Sequence, residues 1–271
     1  MRIRHIIFIA FLVLTGLTAC QRDTRSLQEA ETLFQQGVEQ RADKQSEAAA
    51  ESFSQALLTI EHCDMDKPEV QRLKGQIEDN LGFCYWKHEL FEEALSLHKD
   101  AANLFRSLVD STLLTTALRN CGRTAASLGD TDNAKAYYDE ALSIAKSLND
   151  KNMENDILLE SSRDVLMIVK DYNAAIERIS QALEGGASPD ICYLTMGLAH
   201  YYLAHDSVAI VHLTEATKSS TAGTRMSANQ ALSFIYQLHG DYEKALEHNK
   251  RFEDNMMQAD REHRSEEVQR I

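Results

Sequence analysis

Apolar residues in this chain recur at steps of three and four in one stretch after another. Each stretch is broken within a few residues by glycine, aspartate or a short polar run, which predicts amphipathic helices paired into hairpins. Six hairpins are predicted. Their first helices run roughly over residues 25–42, 68–88, 112–128, 152–169, 189–204 and 224–239, and their second helices over 45–62, 91–109, 131–148, 172–183, 207–219 and from 242 onward. Both prolines, Pro68 and Pro189, stand at predicted helix starts, where a missing N–H costs little. Period-two alternation is absent, so the expected class is all-α.

The turns within hairpins share a chemistry. Leu128-Gly129-Asp130, His239-Gly240-Asp241 and Lys170-Asp171-Tyr172 supply a glycine that ends one helix, an aspartate that caps the next, or both. A phrase also returns every 34 to 45 residues: a small residue and an aromatic on one helix, a turn, then alanines on the next. Gly82, Tyr85, Ala94 and Ala101 carry it, as do Gly122, Ala125, Ala134, Tyr138 and Ala141. Weaker copies use Gly37, Ala49, Phe53 and Ala56; Gly197, Ala209 and Ala216; and Tyr236 with Ala245. The fourth hairpin keeps Ala175 and Ala182 but has Arg163 where glycine is expected. Glycine or alanine lets two helix backbones approach, and an aromatic fills the wedge beside them. This pattern resembles the tetratricopeptide repeat over about nine tenths of the chain beyond its leader. The resemblance implies a right-handed α-solenoid of about six hairpins, whose first helices line a concave face able to hold a protein or peptide. Any array of helical hairpins enriches alanine, so another α-solenoid or a bundle remains the alternative.

Residues 1–19 form no part of that repeat. Arg2 and Arg4 precede a short apolar run from Ile6 to Leu17, closed by Leu17-Thr18-Ala19-Cys20. The run is shorter than the roughly 20 residues that span a bilayer. This leader resembles that of bacterial lipoproteins, in which Cys20 would be lipidated and become the new N-terminus. An ordinary signal peptide or a retained membrane helix is the alternative. Residues 20–26 would then be a short tether, 27–252 the repeat solenoid and 253–271 a polar capping helix. By the same resemblance Gln21, which is not aspartate, leans toward the outer membrane, with the body in the periplasm or at the cell surface.

The net charge is −14, and −16 without the leader, which holds two arginines and no acid. Such a balance disfavours nucleic acid and anionic lipid as direct partners. The four cysteines beyond Cys20 form no C-x-x-C pair. Cys84, Cys121 and Cys192 stand where small residues pack, so free buried thiols are expected.

Catalytic constellations are absent: the chain has no H-E-x-x-H, G-x-S-x-G or phosphate-cradling glycine loop. His200, His205 and His212 share one hairpin, but neither spacing places two on one helical face at i, i+4, and His200 takes the aromatic packing position of its unit. No metal or cofactor is expected. Candidate binding residues lie on the first helices of the second and third hairpins: Asp79, Asn80, Phe83, Trp86 and Lys87, with Arg119, Asn120 and Arg123. They offer aromatic anchorage, guanidinium groups and amides for a peptide backbone, and clustered arginines in an acidic chain suit an acidic guest. Packing of Trp86 under a neighbouring hairpin and ion pairs for the arginines explain the same residues equally well. Leu194, Leu198, Tyr201 and Tyr202 form a lesser apolar set that helix spacing also explains as core. The expected function is non-catalytic binding of a protein or peptide by a membrane-anchored scaffold. The alternative is a sensory input module whose polar tail passes a signal to a membrane partner.

Overall fold

The computed structural model describes residues 24–269, apart from the side chains at 165–168, 259–260 and 262–269; the leader and Cys20 lie outside the described residues. Twelve helices follow one another among the described residues, with no strand. They are α1 (24–42), α2 (Ser46–Ile60), α3 (Pro68–Lys87), α4 (Phe91–Ser107), α5 (Ser111–Ser127), α6 (Thr131–Ser147), α7 (Lys151–Ile168), α8 (Tyr172–Glu184), α9 (Pro189–Tyr202), α10 (Asp206–Ala216), α11 (Ala222–Leu238) and α12 (Tyr242–Gln269). Each odd-numbered helix pairs with the even one after it. The fold is therefore all-α and of the solenoid class, built of the predicted hairpins. Two compact units divide the described residues, one ending at Ile144 and the other starting at Ala145.

The helix boundaries follow from local chemistry. Asp110, Asp130, Asp150, Asp171 and Asp241 each accept the backbone N–H three residues on, at 3.2, 3.3, 3.0, 3.1 and 3.2 Å, and so cap the helices they precede. Gly129 and Gly240 end their helices at φ 76° and 75°. Elsewhere side-chain-bearing residues take the same left-handed conformation, among them Glu89, Val109, Lys170 and Ala204. Val109 stands out, since a β-branched residue is strained at its φ of 56°.

The repeat glycines act by close approach. A Cβ at Gly37 would lie 2.6 Å from the Phe53 ring, at Gly82 2.8 Å from His98, at Gly122 3.0 Å from Tyr138 and at Gly197 2.6 Å from Leu213. In every case the intruding side chain lies sixteen residues on, across the hairpin. In the sixth hairpin Ser233 takes the small-residue place and donates its hydroxyl to the Ala245 carbonyl at 2.9 Å. The fourth hairpin departs from the expected register: Arg163 is exposed and the buried small residues are Ser161 and Ser162, just before it. A guanidinium cannot be sealed between two backbones, so the helix turns its serines inward instead.

In the first unit Phe53, Ile60, Val70 and Ile77 join α1, α2 and α3 in one core. In the second, Leu213, Leu232 and Ile235 do the same for α10 and α11. Cys63, Cys84, Cys121 and Cys192 are buried. Burial pushes the Cys121 thiol up to about 12 and Cys192 to about 11, so neither is poised as a nucleophile. The polar stretch from Glu253 continues α12 without a break, which makes it an extension of the last hairpin's second helix.

Candidate binding surface

Cations and rings alternate on the first-helix face of the first unit. Phe83 and Trp86 of α3 lie with centroids 6.0 Å apart. The Arg41 guanidinium of α1 lies 5.3 Å from the Phe83 ring centre, and the Lys87 ammonium 5.7 Å from Phe83 and 5.2 Å from Trp86. Arg123 of α5 completes the row, 5.4 Å from Trp86. The indole is fixed from beside: its Nε1 donates to the Ser127 hydroxyl at 2.9 Å, which in turn donates to the Arg123 carbonyl at 3.2 Å. Three helices thus hold one ladder, in which each ring face stabilises a cation. Arg41 and Lys87 are exposed, and neither has a carboxylate partner among the described residues. Their hydrogen-bond donors remain available to an anion.

The sequence reading is corrected at two positions. Asp79 and Asn120, expected on an exposed binding surface, are 9% and 7% exposed and belong to an internal network. Asp79 Oδ1 lies 2.7 Å from His98 Nδ1, and the Asn120 amide donates to both Asp79 oxygens at 3.0 Å. The reason lies at His98. The other glycine-bearing hairpins place Phe53, Tyr138 or Leu213 against their repeat glycine, whereas this one buries an imidazole, which needs a polar partner. Asn80 is half-buried. It donates to the Gln76 carbonyl at 2.7 Å, while its Oδ1 is covered and unmatched. Arg119 is half-buried on α5 and engaged by interactions of its own.

Phe83, Trp86, Lys87 and Arg123 are therefore brought together, joined by Arg41 and Ser127, which sequence reasoning missed. A signal for Arg41 existed: it stands four residues after Gly37, as Trp86 stands four after Gly82.

In the second unit the three histidines make a stack. His200 and His212 are near-parallel at 5.6 Å, Tyr193 covers His212 at 6.0 Å, and His205 Nδ1 lies 3.5 Å from His200 Nδ1. Burial lowers the basicity of both His200 and His212. Among the described residues no group of three or more His, Cys, Asp and Glu side chains converges as a metal ion requires. Tyr202 stacks on Tyr172 at 5.1 Å, and Leu194, Leu198 and Tyr201 pack against the α10–α11 core, which accounts for the lesser apolar set.

The recurrent glycine contacts and the paired helices are those of a repeat array. Residues 74–147 match the tetratricopeptide repeat family. That segment holds Phe83, Trp86, Lys87 and Arg123. No curated protein sequence matches the chain. Among solved structures, BtubC (BKLC) from P. vanneervenii is 18% identical, with a TM-score of 0.67, over 79% of this chain and 92% of that one. A signal-transduction ATPase from Pyrococcus horikoshii with a tetratricopeptide repeat sensor is 15% identical with a TM-score of 0.67; the match covers 85% of this chain and 37% of that one. The Rap conjugation gene regulator of plasmid pLS20, solved with the Phr* peptide, is 13% identical with a TM-score of 0.55, over 83% of this chain and 73% of that one. At these identities the likeness is one of fold. No helix among the described residues is long and apolar enough to cross a membrane.

Proposed function

We propose that the first unit binds an acidic segment of a protein or peptide through the Arg41–Phe83–Lys87–Trp86–Arg123 ladder, and that the protein is a non-catalytic scaffold. One observation carries the reading: in a chain of net charge −14, Arg41 and Lys87 rest on ring faces with no carboxylate partner among the described residues. An acid placed on the ladder meets several cations already fixed in position, so little side-chain entropy is lost on binding. The peptide held by the Rap regulator is consistent with this use of the fold. The test is titration of a fluorescein-labelled, glutamate-rich dodecapeptide by anisotropy. Arg41→Glu with Lys87→Glu should weaken binding by tenfold or more while helicity stays unchanged; equal affinity of both forms would remove the ladder from consideration.

The scaffold would work at a bacterial envelope, anchored by lipid on Cys20, with the outer membrane favoured and the body in the periplasm or at the surface. The leader pattern from Arg2 to Cys20 supports this placement. Cys20→Ala should shift the protein from the membrane to the soluble fraction of native cells, and persistent membrane association would refute lipidation. A second reading, sensory input, draws support from the repeat sensor of the Pyrococcus ATPase. It requires that deletion of residues 260–271 leave ligand binding intact and abolish a transcriptional response.

A further inference from the structure

Building on the reading that the first unit binds an acidic segment, we infer a second specificity element in the same ligand: a lysine or arginine about three residues from the acid, seated between α1 and α3. A cavity of about 420 Å³ opens there. Its floor is apolar, with Phe34 and Leu73 both buried. Its rim carries the exposed carboxylates of Glu31 and Glu69, neither of which has a cationic partner among the described residues. Arg72 is the cation of the lining, and it is held by Asp110, Nε to Oδ2 3.2 Å. An apolar floor beneath two unmatched carboxylates suits a guest with an aliphatic stem and a cationic head, which describes lysine and arginine. An acidic guest would be repelled, and a purely apolar one would leave both carboxylates unmet.

The cavity and the ladder occupy one stripe of the same two helices. On α1, Phe34 lines the cavity and Arg41, seven residues on, joins the ladder; on α3, Gln76 lines the cavity and Phe83, also seven on, carries the ladder. Seven residues are close to two helical turns, so each pair shares a face, with a rise of about 10 Å. An extended strand covers that distance in about three residues. The stripe is thus acidic at one end and cationic at the other, and the ligand it fits carries the complementary charges in an extended segment.

The full chain would be panned against a random dodecapeptide library, and the enriched peptides measured by fluorescence anisotropy. The expected peptides carry an aspartate or glutamate with a lysine or arginine three residues away, and alanine in place of that cation weakens binding about threefold to tenfold. Glu31→Gln with Glu69→Gln should erase the benefit of the peptide cation and keep the need for the acid; Arg41→Gln with Lys87→Gln should do the reverse. Enrichment of acids with no cation at that spacing overturns the inference and leaves the acid-binding reading standing. A cation seven residues from the acid overturns it in favour of a helical guest. Failure to enrich acids at all removes both readings.

Discussion

In the second hairpin Asp79 of α3 meets His98 of α4 at 2.7 Å, and in the sixth Asn229 of α11 meets His248 of α12 at 2.9 Å; both pairs span 19 residues and tie a first helix to a second. The contact is the same and the chemistry differs. A carboxylate has only acceptors, so Asp79 collects a further donor from Asn120 on the next hairpin. An amide has donors of its own, and Asn229 spends its Nδ2 on the Arg225 carbonyl one turn back, at 2.8 Å. The acidic version therefore links two repeats, and the amide version stays within one. Tyr236 lies flat on His248, with ring centroids 5.5 Å apart.

Breaking the Asp79 network should have the largest effect. Asp79→Ala strands His98 and Asn120 in a buried site and should cost about 3–5 kcal/mol in urea denaturation, whereas Asn229→Ala should cost about 1–2 kcal/mol. Equal losses would mean that the link to Asn120 adds nothing. Hydrogen exchange should place each loss in its own unit.

The units should also respond to pH in opposite directions. In the first, burial pushes Glu78 up to about 7 although Lys74, 3.5 Å away, opposes it. A raised carboxyl contributes stability that is fully present below its ordinary value of 4.5 and lost as pH rises through about 7. In the second, burial lowers His200, His212 and His248 below their ordinary 6.5, so their contribution is present above that value and lost as pH falls through the lowered ones. Between pH 5 and 8 the Glu78 effect should reach about 1–3 kcal/mol and vanish in Glu78→Gln. His212→Phe keeps a ring in the stack and should blunt the acid sensitivity of the second unit by less than about 1 kcal/mol, because the rings are partly exposed. Parallel pH profiles of exchange in the two units would contradict this assignment.

Smaller effects sharpen the picture. Val109 holds the left-handed cap that Gly129 holds one helix later, with the backbone bond from Asp110 N to Phe105 O at 2.9 Å matching that from Asp130 N to Ala125 O at 2.9 Å. Val109→Gly should raise stability by about 1 kcal/mol, relieving φ strain at an exposed site; a fall in Tm would show that the valine side chain contributes something the cap does not require. Arg41→Gln, which takes a cation off the Phe83 face, should change stability by only about 0.5 kcal/mol, so that any binding loss reports recognition and not unfolding.

Much of the hairpin array was legible because its signals are local. Asp130 and Asp241 cap from within three residues, and Gly122 announces a close approach wherever it stands in a helix. Binding residues were harder to read. Helix spacing and the tetratricopeptide resemblance put the candidates Phe83, Trp86, Lys87 and Arg123 on first helices of adjacent hairpins, and the structure brings their side chains together. Asp79 sits on those same helices but was misplaced, because its burial depends on an imidazole nineteen residues away. The fourth hairpin shows the same limit: the sequence marks Arg163 as a departure from the pattern, and only packing shows that Ser161 and Ser162 are buried in its place.

By itself, the sequence determined the all-α class, the hairpin count and the placement of turns, since periodicity, capping and glycine contacts act over a few residues or one hairpin. Tertiary structure alone decided which polar residues face water. Asp79 and Asn120 turned inward to satisfy His98, while Arg41, Lys87 and Arg123 met on two rings from three different helices. Burial and charge pairing are properties of neighbours brought together across the chain, and a helical stripe specifies a direction without specifying what stands there.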